Sequence, residues 1–195
     1  IESASRYRQL DFRRRPMERH GESSLDPLHH HALKWGNLSM RRKYKLQMIR
    51  RFYHQAKTCC GCLERLDIHH QKTVEELNAS LARLYADALQ LPDIPVRRRK
   101  IEDDAIRHGH PWNFQDESFW VVMNPLDATS FCQSSLKDAL HDIEHDLEHG
   151  ITLYESGEPF AAAALWRMFF FLHWGAHLVE VVPFLHTIIK GRTIS

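Results

Sequence analysis

Apolar residues recur at spacings of three and four along most of the chain, which is the pattern of amphipathic α-helices. One such run covers residues 74–88 and ends before Pro92, where a proline stops a helix. Another covers residues 136–154, with Ser135 placed to cap its start and Gly157 placed to end it. Two long helices are therefore predicted on either side of the middle of the chain.

The segment that follows is apolar on nearly every side, which indicates either a membrane span or the wrapped central helix of a bundle. Pro159 suits its first turn, and we expect the helix to continue to about residue 182, with Pro183 producing a kink or restart before residues 184–189. Arg167, together with the histidines farther along, disfavours lipid, because an arginine at mid-span costs roughly 2.5–3.5 kcal/mol. The pattern predicts a buried central helix and no membrane association.

A short turn at residues 156–158 makes these two helices an antiparallel hairpin, so residues whose numbers sum to about 315 lie at one level. Asp138 then stands level with His177, and Asp142 with His173. A helical wheel nevertheless places both aspartates roughly 135–175° from the apolar stripe of their helix. We therefore expect both aspartates to face water or another helix. We also expect a solvated face on the same side of this helix, which contains His141, His145, His149, Glu144, Asp146 and Glu148.

Elsewhere the pattern is less decisive. Residues 119–123 are a brief apolar run that fits either a short strand or a buried loop, and residues 97–107 fit a short charged helix. The fold class expected for the whole chain is all-α, a bundle of five or six helices around the central apolar helix, with an extended basic N-terminal arm.

Charge divides the chain. The net charge is +1, yet residues 1–66 carry 15 Lys/Arg against 6 Asp/Glu and the remainder carries 11 against 19. This asymmetry predicts a basic N-terminal arm over residues 1–66 and a bundle domain over residues 67–195. Residues 1–38 are expected to be extended, and Ser39 to Lys57 to form an amphipathic helix. A basic arm over residues 1–57 can bind nucleic acid, lie on acidic protein surface, or be a solvated leader.

The cysteines offer a second candidate chemistry. Cys59 and Cys62 have the C-x-x-C spacing with which two thiolates share a tetrahedral zinc, although a second ligand pair in its usual form is missing. The alternative is a turn with incidental thiols. Four cysteines are too few for a disulfide framework, and the N-terminus lacks the apolar stretch of a secretory signal, so a cytoplasmic location is expected.

The main candidate site is a polar cluster inside the apolar helix. In one hypothesis its side chains only bond buried carbonyls and carboxylates and fix helix register. In the other, His173, His177 and Glu180, at spacings of four and three, bind a divalent metal and leave positions open for substrate. For Arg167 we expect a partner on another element, with Glu76, Asp87 and Asp127 as candidates. The cluster comprises Arg167, His173, Trp174, His177 and Glu180.

Four segments of the chain carry a family pattern. They are LARLYADALQLP at 81–92, FWVVMNP at 119–125, LYESG at 153–157, and WR at 166–167 with HWG-x-H at 173–177. In this order they resemble a bacterial domain family of unknown function with all-helical members. The resemblance covers roughly residues 68–187 and implies a fold, not an activity. The chain departs from the family pattern at Ala176, where a basic residue is usual, and at Phe171, where a polar or acidic one is common.

Together these features favour a small cytosolic interaction or regulatory module without enzymatic activity, which binds a protein partner or its own copies and needs no cofactor. The alternative is a metal-dependent helical-bundle enzyme that uses His173, His177 and Glu180. A third hypothesis is nucleic-acid binding through the basic arm.

Overall fold

The computed structural model describes residues 27–95, 112, 114–122 and 129–193, with side chains from residue 40 to residue 192 of those ranges. It is mostly helical, which confirms the prediction of an all-α bundle. A small two-stranded hairpin is added to the five helices of this described part. The elements are α1 (Pro27–Glu64), α2 (Gln71–Ala88), β1 (Ser118–Val122), β2 (Phe131–Ser135), α3 (Leu136–Glu155), α4 (Pro159–Leu172) and α5 (Trp174–Thr193).

Helix α1 is longer than its apolar stripe predicts. It begins at Pro27, so the expectation of an extended arm is wrong for residues 27–38, while residues 1–26 lie outside the described residues. The chain divides into two compact units, residues 1–38 and residues 39–195. In the second unit, Phe52 and Leu63 of α1 are fully buried in the core. The boundary expected near Leu66 from charge is therefore not a structural one, because apolar burial and not charge decides which residues join the core.

Helices α3 and α4 form the expected antiparallel hairpin. The hydroxyl of Ser135 accepts a hydrogen bond from the amide of Asp138 at 3.1 Å, which confirms the predicted cap. Gly157 adopts a φ of 88°, the left-handed conformation that ends a helix most easily at glycine. At the crossing, the indole of Trp166 packs where a side chain on Gly150 would lie. A glycine at this position lets a fully buried tryptophan pass between the two helices.

The predicted single central helix is in fact two helices. Helix α4 ends at Leu172, His173 leaves the helical conformation with φ −147° and ψ −91°, and α5 departs at 62° to α4. Pro183 lies inside α5 and does not restart the helix, so the break was expected in the wrong place. Gly175 permits the bend, because a Cβ there would overlap the carbonyl oxygen of Phe170.

Within the described residues, no single helix has both the length and the apolar character to cross a membrane. Helices α4 and α5 meet that test only as a bent pair.

The apolar run near residue 119 is a strand. Strands β1 and β2 pair antiparallel, with Trp120 opposite Gln133 and Val122 opposite Phe131. Phe119 turns inward and stacks on Phe184 of α5 with ring centroids 4.7 Å apart. The expected short helix at residues 97–107 lies outside the described residues.

Candidate metal centre at the α4–α5 break

The bend at His173 brings α5 alongside the polar flank of α3. His177 lies one turn into α5, and its Nε2 is 3.2 Å from Oδ2 of Asp142 on α3. Nε2 of His173 is 3.8 Å from the same oxygen. In the described part of the chain, Asp142, His173 and His177 form the one group of three metal-ligating side chains whose ligand atoms all lie within 4.8 Å of one another.

Asp146 fixes the orientation of the first imidazole. Its Oδ2 lies 2.8 Å from Nδ1 of His173, a hydrogen-bond distance, and the carboxylate is only 5% exposed. A carboxylate accepts hydrogen bonds, so in this contact Nδ1 is the donor and Nε2 is the ring nitrogen that faces Asp142. This arrangement, a carboxylate behind a histidine whose other nitrogen faces a ligand position, is typical of metal centres.

Glu180 occupies the equivalent place behind the second imidazole. Its Oε2 is 3.7 Å from Nδ1 of His177, on the opposite edge of the ring from Asp142. Nδ1 of His177 is buried and has no hydrogen-bond partner among the described residues. The expected ligand set of His173, His177 and Glu180 requires that Glu180 converge with the two Nε2 atoms. The structure does not bring it there. Asp142 takes the third place, and Glu180 backs His177.

Charge and exposure define what this cluster can do. Three carboxylates face two imidazoles, so the cluster is anionic whenever the imidazoles are neutral. His173 and Asp142 are 43% and 44% exposed, whereas His177 is 25% exposed. The two rings meet edge to face with centroids 5.1 Å apart. The cluster therefore has a buried anchoring side and a side open to water.

The other members of the expected polar cluster are structural. Trp174 is fully buried, and its indole donates to the carbonyl of Trp166 at 3.3 Å. Arg167 donates to the carbonyl of Leu91 at 2.9 Å and lies over the ring of Phe171. This partner lies in the loop after α2 and not on another helix or strand, and among the described residues it is a carbonyl and not a carboxylate.

The carboxylates expected to pair with Arg167 are not observed beside it. Asp87 pairs with Arg51 at 2.8 Å, and Glu76 lies 4.0 Å from Lys72. Asp127 lies outside the described residues.

The cysteines lie within α1 and not in a turn. Cys59 is fully buried, and Cys60 and Cys62 are nearly so. Burial raises the pKa of the Cys59 thiol to about 12 and also raises that of Cys60, which disfavours the thiolates that zinc needs. Among the described side chains, no third ligand joins Cys59 and Cys62 in a metal-binding group.

Two residues of the α3 face were misassigned from the helical wheel. Glu144 and Asp146 are buried, although both were expected on a solvated face. His145 is exposed as expected, whereas His141 packs on the ring of Trp112. The signal for Asp146 was available in the hairpin register, because it lies one helical turn beyond Asp142, whose level was predicted to match His173.

Part of the chain matches a known family. Residues 114–190 match the model of a family described as a domain of unknown function (DUF5063). This confirms the resemblance to an uncharacterised family. The match covers less than half of the chain, begins well after the expected residue 68, and includes every residue of the candidate metal centre. No curated protein and no solved structure matches the chain.

Proposed function

We propose that this protein binds a divalent transition metal through Asp142, His173 and His177, and that the bound metal keeps positions open to an external ligand. The observation that carries the proposal is the convergence of one carboxylate oxygen and two imidazole Nε2 atoms, with a further carboxylate behind each imidazole. Two imidazoles and one carboxylate suit zinc, iron(II), cobalt and nickel.

The distances support a shared ligand position. Bonds of about 2.0–2.1 Å at a tetrahedral angle place two ligand atoms about 3.4 Å apart. The two observed separations from Asp142, 3.2 Å to His177 and 3.8 Å to His173, bracket that value. The ligand atoms of all three residues lie within 4.8 Å of one another, so side-chain rotations can bring them to one metal, and Glu180 needs a similar adjustment to accept the Nδ1 proton of His177.

Openness favours a reactive centre over a structural one. Structural zinc sites have four protein ligands, whereas catalytic sites have three and keep a position for water or substrate. Here three protein ligands converge and two of them are nearly half exposed. When bound, such a metal supplies Lewis-acid chemistry and activates a coordinated water. This is the metal-dependent enzyme hypothesis, with Asp142 in place of Glu180 as the third ligand.

The test is metal binding by the full chain purified without a histidine tag. Cobalt(II) titration followed by visible absorption and calorimetry should give one equivalent of metal per chain. His177→Gln and Asp142→Asn should each weaken binding by at least tenfold. The same changes at His145 and Asp138, which are exposed on α3 outside the cluster, should leave the affinity unchanged.

Acidification should also weaken binding, because imidazoles bind metals only when deprotonated. Equal losses in the cluster variants and the control variants would show that metal binds nonspecifically. Absence of stoichiometric binding would leave the cluster as a set of imidazole–carboxylate ion pairs and overturn the proposal.

A second function, protein binding, is supported by the outer face of the β-hairpin. Trp120, Val122 and Phe131 are each more than half exposed, and the rings of Trp120 and Phe131 meet edge to face at 5.3 Å. Exposed aromatic anchors of this kind are enriched in protein interfaces. In the interaction-module hypothesis, this outer face of the β-hairpin is the surface that binds the partner.

Replacing Trp120 with Ser should shift the oligomeric state or abolish capture of a partner, as measured by light scattering and pull-down from the source cell. Replacing Gln133, which lies opposite Trp120, with Ser is the control. Unchanged association in the Trp120 variant would remove this face from consideration. We also propose a cytoplasmic location, since four cysteines are too few for a disulfide framework, which suits a reducing compartment.

A further inference from the structure

Helix α1 carries a concentration of positive charge that the metal centre does not use. No aspartate or glutamate occurs between residues 27 and 63, a stretch that contains eight Lys/Arg residues. Acidic residues normally alternate with basic ones on a solvated helix and form stabilising pairs three or four positions apart. Their complete absence over this length leaves the positive charges of α1 uncompensated within the helix.

The exposed turn at the start of the second unit concentrates these charges. Every residue from Met40 to Lys45 is exposed, including Arg41 and Lys43. Arg50 is exposed two turns after Lys43, on the same side of the helix. Arg41 and Lys45 project from the other side of the helix, roughly 140–180° from Lys43 and Arg50, so cations flank this exposed part of α1 on both sides. The four residues form no ion pair with any carboxylate of the described part, and we call them the basic strip.

Other cations of α1 are already engaged. Arg51 pairs with Asp87 at 2.8 Å, and Lys57 pairs with Glu155 at 3.0 Å. Arg42 lies over the ring of Phe160. These three residues stabilise the bundle, whereas the basic strip does not contribute to any such contact. The cations of α1 therefore fall into two groups, those that contact the bundle and those available to a partner.

We infer that the basic strip binds the phosphate backbone of a nucleic acid. Arg41 and Arg50 are separated by about 13 Å along the helix, a length over which duplex DNA carries about eight phosphates. Tyr44, in the middle of the strip, is 64% exposed and offers a ring on which an unpaired base can stack.

An anionic membrane is the less favoured partner. A helix that lies in a membrane surface needs a free apolar face opposite its cations. The apolar stripe of α1, which includes Ile49, Phe52 and Ala56, is buried in the core of the protein. The exposed face of the strip is polar apart from Met40 and Tyr44, which suits a solvated polyanion better than a lipid bilayer.

The test compares the full chain with a variant in which all four strip residues are changed to Gln. Affinity for fluorescent duplex DNA and for single-stranded RNA is measured between 50 and 200 mM salt. Four phosphate contacts contribute about −3.6 to the slope of log affinity against log salt on duplex and about −2.8 on single strands. The slope of the variant should be shallower by about these amounts, and any contribution from the rest of the chain cancels in the difference.

The control variant removes the same charge elsewhere. Arg65, Lys72, Arg83 and Lys190 are exposed outside the strip, and changing all four to Gln alters the net charge equally. The control should keep the wild-type slope, and at the lowest salt it should bind at least tenfold more tightly than the strip variant.

The outcome distinguishes the possible partners. A larger loss on RNA than on duplex would identify single strands as the preferred form, and the reverse would identify duplex. Equal losses in the strip and control variants would show attraction to net charge alone and overturn the inference. Binding of the strip to vesicles that contain anionic lipid, with no effect on nucleic acid, would also overturn it.

Discussion

The bend between α4 and α5 should depend on the absence of a side chain at Gly175. In Gly175→Ala, the new Cβ would overlap the carbonyl oxygen of Phe170 and come within 2.9 Å of its Cδ2. Comfortable carbon contacts lie at about 3.5–4.0 Å, so the first turn of α5 has to move away from α4. A main-chain carbonyl cannot rotate aside as a flexible side chain can.

The magnitude follows from two opposing contributions. Overpacking of a well-packed region costs about 1–3 kcal/mol, while alanine is favoured over glycine in a helix by about 0.8–1.0 kcal/mol. The free energy of unfolding of Gly175→Ala should therefore fall by up to about 2 kcal/mol relative to wild type, and it should lie about 1–3 kcal/mol below that of a helix glycine-to-alanine change without the overlap. Gly191→Ala is the matched control in the same helix, because a Cβ at residue 191 would meet nothing within 4 Å.

Urea denaturation followed by circular dichroism measures both variants. Gly175→Ala should unfold at lower urea than wild type, and Gly191→Ala at equal or higher urea. Because His173 and His177 flank the altered residue, the first variant should also bind cobalt more weakly than the second. Equal stability of the two variants would show that the chain does not require a glycine to form this bend.

Three further outcomes are expected. Arg167→Met should lower the free energy of unfolding, measured in urea, by about 1–2 kcal/mol, because the partner of Arg167 is a carbonyl. Breaking a buried ion pair would cost roughly 3 kcal/mol, so a loss of that size would imply a charged partner. With a thiol reagent at pH 8, exposed Cys132 should react rapidly and Cys59 only after unfolding, because burial raises its pKa to about 12; a second rapid thiol would contradict this. A hydrogen bond to Glu155 raises the pKa of Tyr53, so the contact stabilises the fold below the ordinary tyrosine pKa and is lost as pH rises through the raised value. Wild type should therefore lose stability at alkaline pH more steeply than Glu155→Gln. Parallel losses of stability in the two proteins would refute the contact.

The sequence was informative where one local rule decides the outcome. The short turn at Gly157 and the cap at Ser135 were both predictable, and so was the register of α3 against α4. The observed contact of Trp166 with the carbonyl of Leu147 agrees with that register. Each of these features depends on residues that are close together in sequence.

Features that depend on packing were not predictable in the same way. The helical wheel of α3 gives only the angle between each side chain and the apolar stripe. It therefore placed Asp142 toward water or another helix, without identifying that helix. The bend at His173 brings α5 over that flank, and the glycine two residues later permits the close approach to Phe170. Pro183 looked like the stronger helix breaker, yet it lies inside α5.

The bend also explains why the ligands are not those of a single helix. The α-carbons of residues 173, 177 and 180 in one straight helix would be spread over about 10 Å of its axis, whereas ligand atoms of one metal lie about 3.4 Å apart. The outer two side chains would both have to lean along the axis toward the middle one. By leaving the helix at His173, the chain turns both imidazoles toward α3, where Asp142 reaches both Nε2 atoms and Asp146 holds one ring from behind. A ligand set drawn from two helices and the break between them avoids that demand, because its ligand atoms already lie within 4.8 Å of one another.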